Sequence, residues 1–95
     1  MMAHILVRNT VEDYDAWKQS FDKNGPMRKA AGSSGGRLFQ SADNPNDVLV
    51  ILEWNDMEKA REFAGSAQLR EAMKEAGVLG QPEVRFLEGE ELIAV

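Results

Sequence analysis

Asp47-Val48-Leu49-Val50-Ile51-Leu52-Glu53-Trp54 is the stretch that decides how this chain folds. Five apolar residues in a row, Val48 to Leu52, all valine, isoleucine or leucine, predict a strand buried on both faces, because a strand wet on one side would alternate. A sheet built around such a strand needs cover on two sides. The chain has 95 residues, enough for one domain spanning 1–95. A domain of that size buries only about 60–65% of its unfolded surface, so cover from a partner would help it considerably.

Working outward, Ala3 to Arg8 alternates and predicts a first strand, with Ile5 and Val7 on one face and His4, Leu6 and Arg8 on the other. Thr10 with Asp13 three residues later fits a capping box opening a helix. Tyr14, Trp17 and Phe21 then form one aromatic stripe at helical spacing, read as a core face. Asn24-Gly25-Pro26 interrupts the helix, and Pro26 suits the first turn of a second piece that ends at Gly32. Gly32-Ser33-Ser34-Gly35-Gly36 lacks the Gly-Lys-Ser/Thr ending of a phosphate-binding loop. It reads as a flexible, bulged entry into a strand over Arg37–Ser41. Ala42 to Asn46 turns the chain into the apolar strand.

Asn55 or Asp56 caps the next helix, whose buried face is Met57, Ala60, Phe63 and Ala64. Gly65-Ser66 breaks it, and Ser66 recaps a segment with the stripe Leu69, Ala72, Met73 and Ala76. Gly77 ends that helix, and Gly80-Gln81-Pro82 leads into a last strand over Glu83–Leu87. The tail from Glu88 to Val95 is acidic, then apolar.

The order β-α-β-β-α-β predicts an α+β, ferredoxin-like domain with a four-stranded antiparallel sheet in strand order 4-1-3-2. Right-handed crossovers place both helical regions on one face. Ile5, Val7, Val48, Val50, Leu52, Val84 and Phe86 then face the helices. The open face carries Leu6, Phe39, Leu49, Ile51 and Leu87, interleaved with His4, Arg8, Arg37, Glu53 and Arg85. Leaving five large apolar side chains wet forfeits roughly 1.5–3 kcal/mol each, a sum comparable to the ~5–15 kcal/mol stability of a whole domain. A second copy packed sheet to sheet removes that cost, so a homodimer through the open face is expected, with the polar open-face residues lining a cavity between the two sheets.

Composition narrows the chemistry. A net charge of -5 suits a soluble protein and opposes nucleic-acid or anionic-membrane partners. There is no cysteine, which removes disulfides, thiolate metal sites and cysteine nucleophiles. A single histidine, His4, removes His-rich metal clusters, and no metal is expected. No apolar run approaches the ~20 residues of a membrane span, and Ile5-Leu6-Val7 is too short for the apolar core of a leader. A cytoplasmic location is the expectation.

The pattern Val11-Glu12-Asp13-Tyr14-Asp15-Ala16-Trp17, then Arg28 to Gly32, then Gly36-Arg37-Leu38-Phe39, resembles the dimeric α+β-barrel proteins, as do Glu53-Trp54 and Ala60-Arg61-Glu62-Phe63-Ala64. The nearest likeness is to antibiotic biosynthesis monooxygenase-like domains, over nearly the whole chain. The likeness implies two ferredoxin-like sheets closed into a barrel. Members of that superfamily include cofactor-independent monooxygenases of aromatic polyketides, haem-degrading enzymes, cyclases and isomerases. The haem-degrading branch uses a histidine in the second helical region, where this sequence has none, so no haem or other cofactor is expected. The monooxygenase branch surrounds an aromatic substrate with Asn, Trp, Tyr and Arg. Asn9, Asn55, Trp54, Tyr14 and Arg85 are of those types, and no motif aligns them with that site.

A cofactor-free oxygenase needs a base to make an electron-rich anion, donors to hold it and a dry apolar pocket. Histidine is the side chain whose unperturbed pKa lies near neutral pH, and a carboxylate becomes a base where burial raises its pKa, so His4 and Glu53 are the candidate catalytic residues. Arg8, Arg37 and Arg85, with Phe39 and Ile51 as apolar walls, are the candidate substrate-binding residues. The blander alternative pairs Arg8 with Glu53 across strands and leaves His4 a strand residue. Arg28 and Lys29 read as a solvated face. The expected function is a monooxygenase acting on an aromatic or polyketide-like molecule, or a cyclase or isomerase of that fold. A non-catalytic binding or regulatory protein for a hydrophobic molecule is the alternative. RNA binding fails, because Gly36-Arg37-Leu38-Phe39-Gln40 is no RNP motif and Leu49 and Ile51 stand where stacking aromatics are needed.

Overall fold

The apolar run forms β3 (Asp47–Trp54), and it lies inside a four-stranded antiparallel sheet between β2 (Ser33–Gln40) and β1 (Ala3–Val11), with β4 (Val78–Glu88) outside β1. This is the 4-1-3-2 order that the two-sided apolar run requires. The computed structural model describes residues 2–95. Four helices fill the two crossovers: α1 (Tyr14–Lys23) and α2 (Gly25–Ala31), then α3 (Met57–Ala64) and α4 (Ala67–Glu75).

The sheet alternates as expected. Ile5, Val7, Val48, Val50 and Leu52 are buried, and Val84 and Phe86 pack against that core. Trp54 closes it, fully buried, with its ring 5.1 Å from that of Phe63. On the other face Leu6, Leu49 and Ile51 are half-buried, and Phe39 and Leu87 are 47% and 41% exposed.

Both helix breaks fall where the sequence places them. Pro26 stands in the first turn of α2, and Ser66 caps α4 by accepting from the Leu69 N–H at 3.1 Å. Asp56 does the same for α3, accepting from Glu58 N–H at 2.8 Å. Four boundaries differ. The cap of α1 is Asp13, accepting from Ala16 N–H at 3.0 Å, because Thr10 belongs to β1. β1 runs on to Val11 since Thr10 and Val11 pair with Leu79 and Val78, past a register shift between Arg8 and Thr10. The same pairing starts β4 at Val78 instead of Glu83, with Gly80 at φ 65° absorbing the irregularity. β2 starts at Ser33, ahead of the expected Arg37, and its bulge lies between Ser33 and Gly35. There Gly36 approaches β3 so closely that a β-carbon would run into the Ile51 carbonyl oxygen.

Among the described residues, no helix is long and apolar enough to cross a membrane.

Candidate functional site

Asn9 lies on β1 in phase with Ile5, Val7 and Val11, so its side chain points to the helix-facing side of the sheet. It is 5% exposed, and its Oδ1 has no protein hydrogen-bond partner. Buried polar atoms nearly always find partners, which makes this one conspicuous. Asn9 borders a narrow cavity of about 60 Å³ between sheet and helices, walled by Trp17 and Phe21 of α1, Met27 and Arg28 around α2, Phe63 of α3 and Met73 of α4. The walls are dry because the aromatic stripe of α1 and the apolar stripes of α3 and α4 all turn inward. Trp17 is 3% exposed and stacks on Phe21 with ring centres 4.9 Å apart.

A wider open groove of about 470 Å³ lies beside it, between α2 and the glycine-serine start of β2. Phe21, Arg28, Val50 and Leu52 line both spaces. Val50 and Leu52 are strand floor, so Phe21 and Arg28 are the helix-side residues shared by the two spaces. The Arg28 guanidinium sits 3.7 Å from the centre of the Phe21 ring, a cation-π contact. Burial pushes the Arg28 guanidinium below its ordinary pKa, and the Asp22 carboxylate partly opposes the shift. The groove's volume falls within the ~300–1,000 Å³ usual for small-molecule sites. The inner cavity, at about 60 Å³, has room for a water or two.

The residues singled out from the sequence lie on the opposite, open face. His4 is 7% exposed and opposite Glu53 in register, but its Nε2 is 3.9 Å from Glu53 Oε1, too long for a hydrogen bond. Arg8 does not pair with Glu53. Register sets Arg8 opposite Leu49, and its guanidinium donates to both carboxylate oxygens of Asp47 at 3.0 and 2.8 Å. That hydrogen-bonded guanidinium holds the Asp47 carboxyl below the usual range, and Asp47 in turn raises Arg8. Arg85 is exposed and reaches Glu83 at 3.4 Å. Ile51 and Phe39 are open-face apolar residues. Neither the groove nor the inner cavity includes His4, Glu53, Phe39, Ile51 or Arg85, while Arg37, opposite Ile51 on β2, borders the groove at the sheet edge.

The helix side thus brings together residues that the sequence reading did not group. Arg28, read as solvated, is half-buried against Phe21. The two lie seven positions apart across the Gly25-Pro26 break, so no single helical period links them. Asn9 carried a legible signal, a polar residue at a core-facing position of a strand. Among the described residues, no group of three or more His, Cys, Asp or Glu is arranged to hold a metal ion.

A ferredoxin-like α+β domain with its enclosed space between sheet and helices is a class that hosts many activities, and sequence and structure comparisons narrow it. The chain belongs to the antibiotic biosynthesis monooxygenase family, whose sequence model matches residues 2–75. The search of curated proteins by sequence found no match. Solved structures share the fold at low identity. A Bordetella bronchiseptica protein provisionally assigned to the antibiotic biosynthesis monooxygenases is 18% identical, covering 95% of this chain and 98% of its own, with TM-score 0.80. SnoaB, a cofactor-independent oxygenase from Streptomyces nogalater, is 14% identical over 97% of this chain and 96% of its own, with TM-score 0.78. A monooxygenase from the gene ActVA-Orf6 of Streptomyces coelicolor, solved with nanaomycin D, is 20% identical over 98% and 91%, with TM-score 0.69.

Proposed function

We propose that this protein is a cofactor-independent monooxygenase that oxidises a hydroxyaromatic, polyketide-like molecule in the space between its sheet and its helices. The observation that carries the reading is the unpartnered Asn9 amide at the end of an aromatic-walled cavity. Its oxygen accepts from a phenolic O–H; the proton passes to solvent water through the open groove, and after half a turn the Asn9 N–H₂ donates to the phenolate. The ring-carbon C–H opposite the hydroxyl becomes C=O, one oxygen atom of O₂ enters the ring and the other leaves as water. The phenol supplies all four electrons, so no reductant is required. The ring occupies the groove and reaches Asn9 when Phe21 and Arg28 swing aside.

Oxygen consumption with anthrone- and naphthol-type substrates tests this. One O₂ per quinone is expected, and Asn9→Ala lowers kcat by about 10²-fold, the scale of removing one donor to a developing anion. His4→Ala and Glu53→Gln leave the rate unchanged on this reading. The open-face assignment, with His4 and Glu53 catalytic and Arg8, Arg37, Phe39, Ile51 and Arg85 binding substrate, requires the reverse, and loss confined to His4→Ala would move the chemistry there. One observation favours storage without turnover: the groove and cavity linings contain no Asp, Glu, His or Tyr to act as base. Tight binding with no oxygen uptake from any such substrate would establish that second reading.

The partly exposed apolar residues of the open face support a homodimer closed sheet to sheet into a barrel, and a cytoplasmic location is proposed with it. Light scattering should give twice the chain mass, and Ile51→Lys should give a single copy.

A further inference from the structure

Resting on the site proposed above, the structure assigns the groove a further preference: we propose that its ligand carries a carboxylate, held by Arg28 and Lys29. Arg28 and Lys29 are the basic residues of the last turn of α2, and both line the groove. Among the described residues no carboxylate lies within ion-pair distance of either one, as is true of most of the chain's cations; Arg8, Lys18 and Arg85 are the ones with an acidic partner. An exposed lysine without a partner is ordinary. A half-buried arginine is less so: burial penalises its charged form, and Asp22 offsets that only in part without reaching ion-pair distance.

The facing wall suits an anion. Gly35 and Gly36 put no side chain there, and the nearest serines, Ser33 and Ser34, are engaged with the Glu53 carbonyl at 3.0 and 3.4 Å. Among the described residues, no acidic one lines the groove. On a chain with net charge -5, long-range attraction would favour cations, so this basic, acid-free groove is a local feature set against the overall field. Phe21 is the hinge of the arrangement. Its ring contacts the Arg28 guanidinium and lines both the groove and the cavity that Asn9 borders. A ligand ring lying along Phe21 in the groove would have Arg28 and Lys29 in the same lining.

Titration calorimetry with two probes tests it: a naphthalene with a hydroxyl at one end and a carboxylate at the other, and the same compound with a carboxamide for the carboxylate. The carboxylate should bind about 10–100-fold more tightly, the range of a charge-assisted hydrogen bond. Arg28→Gln should remove most of that preference while leaving carboxamide affinity within a few-fold, and Arg28→Lys should restore part of it. In the unaltered protein the preference should shrink as salt rises, a readout independent of any variant's folding. Equal affinity for the two probes, or a preference that survives Arg28→Gln together with Lys29→Gln, would overturn the assignment and leave the oxygenase reading standing. Failure of both probes to bind would overturn both.

Discussion

Asn9→Leu should make this protein more stable and less active. The side chain is 5% exposed and its Oδ1 has no protein partner, and an unsatisfied buried polar group costs about 1–3 kcal/mol. Leucine is close to isosteric, and it would add apolar contact to Trp17 and Met73 across the cavity. Part of the cost is offset in the native protein, since about 60 Å³ beside the amide accommodates a water or two at ~30 Å³ each. The lower end of the range is therefore the better figure, a gain of about 1 kcal/mol. For a domain this small that raises the melting midpoint by roughly 4–8 °C. Calorimetric melts of both proteins at the same concentration, required because dimerisation would couple stability to concentration, give the number directly. Oxygen consumption by the same samples should fall about 10²-fold. A midpoint lowered by several degrees would show that Asn9 is a structural residue with partners that matter to the fold, and the case for it as a recognition group would go.

Two further outcomes follow from the sheet. The Asp47 carboxyl is held low chiefly by the hydrogen bond from Arg8, so its contribution is fully present above about pH 4 and is lost as pH falls through the depressed native value. Asp47→Asn should thus lower the melting midpoint at pH 7, and the gap to the unaltered protein should close on acidification; a gap that is constant with pH would exclude this pair as the cause. Gly36→Ala should cost about 1–3 kcal/mol, as overpacking does, because the new β-carbon meets the Ile51 carbonyl. Gly25→Ala is the control, since its β-carbon would meet only the end of the Arg28 side chain at 3.8 Å. Equal melts for the two variants would refute the close approach of β2 to β3.

The fold was legible because its determinants are local and redundant. Val48 to Leu52 marks an inner strand by its lack of alternation, and Gly25-Pro26 and Gly65-Ser66 mark breaks that no tertiary contact overrides. The displaced boundaries at Val11, Ser33 and Val78 have one cause. Strand ends are fixed by pairing across the sheet, as Thr10 with Leu79 and Val11 with Val78, and pairing is invisible to a reading of one segment at a time. The site was less legible for a similar reason. His4, Glu53 and the open-face arginines were grouped because they share a face by alternation. Phe21 and Arg28 share a wall only because the chain turns between α1 and α2, and that turn angle is written in no residue pattern.

The two-sided strand ties these points together. In β3, Val50 and Leu52 form the floor of the groove and the inner cavity, while Leu49 and Ile51 face the other way. The sheet is one layer thick, so the proposed reaction space and the proposed dimer contact are two faces of one wall, offset by a single residue. Alternation makes them separable by mutation: Ile51→Lys changes the assembly face without adding a group to the pocket, and Asn9→Ala does the converse. Packing makes them inseparable in mechanics, because any tilt of β3 that relieves one face displaces the other. A monomeric Ile51→Lys protein that keeps its fold should therefore bind the carboxylate probe with altered affinity although it retains Arg28, Lys29 and Asn9. Unaltered affinity would show that the pocket is complete in one chain and that the partner serves only to cover the open face.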